Sequence, residues 1–500
     1  MPTTDRRSRT APLEMSANEF REAGHRLVDV IAAFLESLPS RPVTRDETPT
    51  ALRSLLPAAL PEAGRPAARL LEEAASLLVE HSLLNGHPRF FGYITSSAAP
   101  IGALADMLAS AVNPNVGGWQ LSPIASEIEG QCVRWIAELL GLAPGTEGLL
   151  VSGGNMANFV GFLAARRAKG GQAVRETGVG TGGPLTVYAP SETHTWVQKA
   201  ADLFGHGTGS LRYVPVREDL TVDADALVRL VEEDRRAGCR PFLLVGNAGT
   251  VSTGAVDPLR RLAAIAREQD LWLHADGAYG APAALCDEAP SDLREGLALA
   301  DSVAVDPHKW LYAPVEAGCV LVRHPGVLRD TFSYSPPYYR FDGEAEDPRV
   351  NYFELGPQNS RGFRALKVWL ALQQAGREGY RRMIADDIRL ARALDERVRK
   401  EPRLEPWTLG LSIATFRYVP EDVRPGTKDG EEYLDRLNEE LLHRLKASGE
   451  VFVSNAVVRG TFLLRACIVN FRTTLADVEA VPGIVVRHGE AVDRELRKRR

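Results

Sequence analysis

Paired cysteines, membrane-length apolar runs and a marked excess of one charge are all absent from this 500-residue chain. The five cysteines, Cys132, Cys239, Cys286, Cys319 and Cys467, are scattered with no CxxC spacing. That argues against a disulfide framework or a thiolate metal site and fits buried thiols in a reducing compartment. No apolar run approaches the roughly 20 residues of a membrane helix. The opening stretch MPTTDRRSRTAPLE lacks the apolar centre of a secretory signal. A cytoplasmic protein is expected, without membrane or metal. Lys+Arg number 59 and Asp+Glu 65, a formal charge of −6, too acidic overall to draw in nucleic acid non-specifically. The basic end RELRKRR reads as a solvated helix terminus. Repeats and low-complexity tracts are also missing. What is present is ordinary for a globular protein, 44% hydrophobic and 25% charged, and long enough to bury a core without staples.

The pattern changes along the chain. Residues 1–14 are polar and expected to be disordered. Ser16 and Glu19 have capping-box spacing ahead of Phe20, Leu27, Val28, Ile31 and Leu35, which share one helix face until Pro39. Residues 66–84 form a second amphipathic run. The region 15–99 is read as an N-terminal helical arm, too thin for a core of its own. From 100 to 385 short apolar runs (LLVS, LTVYA, FLLVGNAG, LWLHAD, SVAVD, GCVLVR) alternate with helical ones, which predicts an α/β domain with a mainly parallel sheet covered on both faces. Residues 333–360 interrupt the rhythm as a long loop. Residues 386–500 carry a helix, the strand SIATFRYV, a helix closed by Gly449, and two strands joined at Arg459-Gly460, a small α+β domain.

In open α/β sheets ligands sit beyond the carboxyl ends of the strands. The residues there are Ser152-Gly153-Gly154-Asn155, His194, Thr250 with Ser252, Asp276, and Asp306-Pro307-His308-Lys309. Singly each has a bland explanation, as turn, cap or solvated charge. Together they offer a glycine-rich start of a helix, a flat ring, a carboxylate and an amine at one edge. That set suits pyridoxal 5′-phosphate. The cofactor needs an amine for a Schiff base and a carboxylate to keep its ring nitrogen protonated, while its phosphate suits a helix N-terminus. Lys309 supplies the amine, Asp276 the carboxylate, and His194 the stacking ring. Gly153, Gly154 and Asn155 hold the phosphate with the Ser302 hydroxyl.

The segments AVDPHKW (304–310), HADGAYG (274–280), NAGTVSTGAVDP (247–258) and SETHTWVQKAADLFGHG (191–207) resemble the group II pyridoxal-phosphate decarboxylases, which act on aromatic amino acids, histidine, tyrosine and glutamate. HPRFFGY (87–93), NSRGFRALKVWLAL (359–372) and LRACIVNFRTT (464–474) extend the likeness over about residues 15 to 480. The resemblance implies the fold type I of pyridoxal-phosphate transferases, with a mainly parallel seven-stranded sheet, and a homodimer with the site at its interface. It matches Lys309 to the Schiff-base lysine, Asp276 to the pyridinium partner, His194 to the stacking ring and Ala278 to the small residue beneath the cofactor. Gly154, Asn155, Ser302 and Asp306 match phosphate contacts. Asp306 departs from members with asparagine there, and its carboxylate is expected to turn to a backbone donor. Thr250 and Ser252 match the segment bonding the phenolic oxygen, and His308 a histidine that handles protons.

Tyr338, with Tyr339 one register away, matches the loop tyrosine that protonates the α-carbon. Phe90, Phe91, Tyr93, Pro100 and Trp119 match the substrate pocket, lined in part by the neighbouring subunit. The expected reaction is decarboxylation of an L-amino acid to an amine and carbon dioxide, leaning to an aromatic substrate. Glutamate, 2,4-diaminobutyrate and histidine stay open as substrates. So do an aldehyde synthase, an aminotransferase and a cofactor-free scaffold as functions.

Overall fold

The computed structural model describes residues 11–180, 182–334 and 349–498. Seven strands form the main sheet: β1 (Glu147–Val151), β2 (Leu185–Pro190), β3 (Leu211–Val214), β4 (Arg240–Asn247), β5 (Trp272–Asp276), β6 (Ser302–Val305) and β7 (Gly318–Val322). Their order is β1-β7-β6-β5-β4-β2-β3. Strands β2 to β6 pair in parallel, and β7 runs antiparallel to both β1 and β6. Six strands therefore point one way. The apolar runs that bracket them are buried on both faces, and β2, β5, β6 and β7 are buried at every position, as a sheet covered by helices requires. The predicted α/β fold with a mainly parallel sheet is the observed architecture.

Two registers bring the carboxyl ends of β1 and β6 together. Val151 pairs with Gly318 and Val305 with Cys319. A Cβ at Gly318 would lie 2.5 Å from the Gly153 Cα, so only glycine lets β7 begin against the start of the helix Gly154–Thr177. That helix kinks at Gly171.

The second sheet is antiparallel, ordered β10-β11-β9-β8, from β8 (Leu404–Gly410), β9 (Ile413–Tyr418), β10 (Ser454–Val458) and β11 (Thr461–Cys467). The predicted hairpin at Arg459-Gly460 is present. Strand β8 and all but the basic end of the closing helix Leu475–Lys498 lay outside the sequence reading. In β8 a register shift between Pro406 and Thr408 breaks the alternation that marks a strand. The helix keeps Pro482 inside it, and a proline interrupts any helical pattern. The basic end is a helix terminus as expected, through Lys498. The helix Ala365–Lys400 carries the chain from the large sheet to the small one, across residue 386.

The arm begins with the helix Ala17–Ser37, closed at its start by the Ser16–Glu19 capping box. It packs on the helix Ala67–His81, yet Ala23 alone is buried on it. Phe20, Val28 and Ile31 remain exposed. Among the described residues no helix is long and apolar enough to cross a membrane.

Candidate active site

The carboxyl edge of the large sheet opens into a cavity of about 670 Å³. Gly153, Gly154, Asn155, His194, Thr250, Ser252, Asp276, Ala278, His308 and Lys309 all line it, with Tyr93. Apart from Tyr93 they come from five strand ends, so one feature, the common direction of β1, β2, β4, β5 and β6, assembles them.

Asp276 ends β5 and is nearly buried. Its Oδ2 accepts a hydrogen bond from Trp196 Nε1 at 2.7 Å, and its Oδ1 one from the Ala278 amide at 3.2 Å. The carboxylate is thereby fixed in place with its charge at the cavity. His194 stands exposed at the wall and its Nδ1 accepts from the Trp196 amide at 3.2 Å. Desolvation pulls its pKa down, Asp276 opposes this and the Lys309 ammonium adds to it, so a neutral, flat ring faces the cavity. Lys309 Nζ lies 2.9 Å from Asp306 Oδ2. His308 is held by its Nδ1 against the Ala317 carbonyl at 2.7 Å. The Thr250 hydroxyl meets Thr253 Oγ1 at 3.0 Å and the Ala255 amide at 3.1 Å, beside Ser252 on the same wall.

Several expected contacts fall elsewhere. Ser302 does not line the cavity: its hydroxyl bridges Trp272 Nε1 at 2.8 Å and His274 Nδ1 at 2.7 Å. The His274 Nε2 in turn meets Asn158 Oδ1 at 2.7 Å, and burial lowers this imidazole to about 4. Phe90 and Phe91 are core residues of the single chain. Phe90 stacks on Phe452 with centroids 5.3 Å apart, and Phe91 packs among the small-domain residues. Pro100 is an exposed first residue of the helix Pro100–Val112. Trp119 donates to Glu127 at 2.8 Å, away from the cavity. Asp306 turns to the Lys309 ammonium, not to a backbone donor, because that charge is one turn away. Tyr338 and Tyr339 lie outside the described residues.

Residues 49–418 match the family described as the pyridoxal-dependent decarboxylase conserved domain. The chain belongs to that family. It is 33% identical over 467 residues to an aromatic-L-amino-acid decarboxylase of Bacillus atrophaeus, covering 93% of this chain and 94% of that one. It is 28% identical over 487 residues to a phenylacetaldehyde synthase of a Rosa hybrid cultivar, covering 96% and 95%. The crystal structure of Oryza sativa TDC with PLP and tryptamine superimposes with a TM-score of 0.89 at 27% identity, over 97% of this chain and 99% of that one. The fold is type I of the pyridoxal-phosphate enzymes, and the protein is a pyridoxal-phosphate-dependent amino-acid decarboxylase, a lyase.

The decarboxylase carries a donor set that fits the cofactor. At the start of the helix Gly154–Thr177 a Cβ on Gly154 would fall 2.6 Å from Asp306 Oδ2 and 3.1 Å from Ala278 Cβ, so the absence of a side chain keeps the helix N-terminus open to an anion. An amine, a fixed carboxylate and a neutral ring share the same space.

The sequence reading missed the groups that the small domain and the second layer contribute. Arg465 and Ser454, on β11 and β10, line the cavity. Arg465 is buried; its Nη1 donates to the Tyr93 carbonyl at 3.2 Å and to Ser454 Oγ at 2.9 Å, while among the described residues its Nε and Nη2 have no partner. Tyr279 lines the cavity and stacks on Trp310, centroids 4.9 Å apart. Asp387, on the helix Ala365–Lys400, accepts from Trp310 Nε1 at 2.9 Å and Tyr312 Oη at 2.7 Å. It braces the segment just after Lys309, and burial raises its pKa to about 7. The family segments LRACIVNFRTT and DPHKW contain Arg465 and Trp310, which was the available signal.

Proposed function

We propose that the enzyme converts an aromatic L-amino acid to its amine and carbon dioxide, as a cytoplasmic homodimer. The observation that carries the reading is the Lys309 amine facing the same cavity as the Trp196-anchored carboxylate of Asp276 and the His194 ring. When bound, pyridoxal phosphate supplies an electron sink for the pair left on the α-carbon as carbon dioxide departs. The residues supply the rest. Lys309 is the amine that tethers the cofactor, and Asp276 holds a proton at its ring nitrogen. Gly153, Gly154 and Asn155 offer the helix start to its phosphate. His194 would give a neutral face for stacking, Ala278 would leave room for the ring, and Thr250 with Ser252 would hold the phenolic oxygen. Arg465 places a desolvated positive charge where a substrate carboxylate enters. His308 is a proton carrier at the cavity, and Tyr338 is assigned as the acid for the α-carbon on the resemblance alone.

An aromatic substrate is supported by the aromatic-L-amino-acid decarboxylase relative and by Tyr93 and Tyr279 on the cavity wall. The homodimer is supported by apolar side chains left in solvent on the arm and on the helix Pro100–Val112, including Phe20, Leu78, Leu104, Leu108 and Val112. An apolar surface of this kind marks a contact face. A partner chain there would cover the exposed Pro100 and the half-buried Trp119, which stand outside the cavity of their own chain.

The test is a product screen of the pure enzyme against aromatic amino acids, glutamate, 2,4-diaminobutyrate and histidine. One aromatic substrate should yield amine and carbon dioxide in equal amounts. A preference for glutamate or diaminobutyrate overturns the aromatic reading. Aldehyde with little amine supports the second reading, an aldehyde synthase, which the phenylacetaldehyde synthase relative favours.

A further inference from the structure

We infer that Asp306 restrains cofactor loading. Its carboxylate holds the Lys309 ammonium and stands against the start of the helix Gly154–Thr177, so removing its charge makes the protein take up pyridoxal phosphate more tightly. This rests on the reading of Lys309 as the tethering amine and of Gly153–Asn155 as the phosphate cradle.

Asp306 follows β6 directly and is 1% exposed. Its Oδ2 lies 2.9 Å from Lys309 Nζ and 3.8 Å from His308 Nε2. The same oxygen occupies the place beside Gly154 where a Cβ would fall, 2.6 Å away. Among the described residues its Oδ1 has no hydrogen-bond partner. A buried carboxylate with one oxygen unpaired is costly. It is here because the lysine charge and the helix dipole both favour an anion at that point.

Both causes oppose the cofactor. Covalent attachment needs the free amine: the ammonium first gives its proton to solvent, then the nitrogen condenses with the cofactor aldehyde and one water leaves. The 2.9 Å contact with Asp306 must be broken before that nitrogen can react. The phosphate meanwhile brings negative charge to a helix start already faced by a carboxylate, and like charges a few ångströms apart in a desolvated site repel strongly.

The experiment uses full-length protein stripped of cofactor, as wild type, Asp306→Asn, Lys309→Ala and the double variant. Each is titrated with pyridoxal phosphate and, separately, with pyridoxal, which lacks the phosphate, and followed by tryptophan fluorescence and visible absorption. Asp306→Asn should tighten pyridoxal phosphate by about 10-fold or more. Pyridoxal should gain clearly less. In the Lys309→Ala background the charge removal should still tighten pyridoxal phosphate, because repulsion acts there without the ion pair. Equal or weaker affinity in Asp306→Asn overturns the proposal. Equal gains for both compounds that vanish without Lys309 overturn its phosphate part. If Asp306→Asn lacks wild-type circular dichroism, Asp306→Ser is read in its place by the same criteria. Borohydride reduction and peptide mapping of the loaded wild type must label Lys309. A label elsewhere overturns the assignment of the amine, whatever the affinities show.

Discussion

The two sides of the cavity are built in opposite ways. The cofactor side comes from like-directed strand ends of one sheet, and its groups are braced by residues behind them: Asp276 by Trp196, His308 by Ala317, Thr250 by Thr253. The substrate side is gathered from remote places. Tyr93 leaves the arm, Ser454 and Arg465 come from the small sheet, and Phe90 and Phe91, expected there, are locked in core packing. A sheet positions a cofactor rigidly, since neighbouring strands fix one another's ends. A surface joined from two separate regions is free to vary its residues without disturbing that frame. The comparison predicts that damage to the first side shows in cofactor chemistry, and damage to the second in substrate binding.

The largest effect falls on the lysine. Lys309→Ala should abolish covalent attachment, read as loss of cofactor reducible onto the chain by borohydride. Persistent attachment to another lysine would break the assignment of the whole edge. Next comes Asp276→Asn, which keeps the shape and the Trp196 contact region but removes the charge. A loss in kcat of about 10²-fold or more is expected by analogy with other preorganised charges, with cofactor affinity falling much less. Near wild-type turnover would show that the ring nitrogen needs no carboxylate here.

Lys309 and Asp276 are legible in the sequence because each follows or ends an apolar run that forms a parallel strand, and parallel strands bring their ends to one edge. Ser302 fails the same logic, because it opens β6 instead of ending it. It pairs in register with His274 in the middle of β5, and its hydroxyl meets Trp272 and that imidazole, away from the carboxyl edge. Phe90 and Phe91 fail for another reason: an aromatic residue has the same signature in a core as in a pocket. Arg465 and Ser454 are not legible as cavity residues, since nothing local to the β10–β11 hairpin tells which surface it meets. That depends on the helix Ala365–Lys400, which links the two sheets.

The substrate side is sharpened by Arg465→Gln. Removing a buried charge that faces an incoming carboxylate should raise KM by about 10-fold or more with a smaller change in kcat. The visible spectrum of the bound cofactor should stay. The decisive readout is a pair of ligands: a substrate analogue with a carboxylate should weaken, while the amine product, which has none, should bind as before. If both weaken alike, Arg465 is only a strut for Tyr93 and Ser454.

The smallest effect expected is at Trp196, and it probes how rigid the cofactor side is. The indole is fully buried, donates its Nε1 to Asp276 Oδ2 at 2.7 Å, and meets the His274 ring edge-on at 5.6 Å. Trp196→Phe keeps an aromatic ring but deletes the donor. Stability should fall by about 1–3 kcal/mol from the smaller ring, seen as a lower melting temperature. The lost hydrogen bond to a charged group, worth roughly 1.5–3 kcal/mol, frees Asp276 to turn, and part of that reaches the barrier. A several-fold loss in kcat follows. Packing alone lowers stability in any background, whereas positioning acts only through the carboxylate. In Asp276→Asn, adding Trp196→Phe should therefore lower the melting temperature again and leave the residual kcat nearly unchanged. Full additivity in kcat would mean that the tryptophan supports the site by packing, and that the carboxylate holds its place without it.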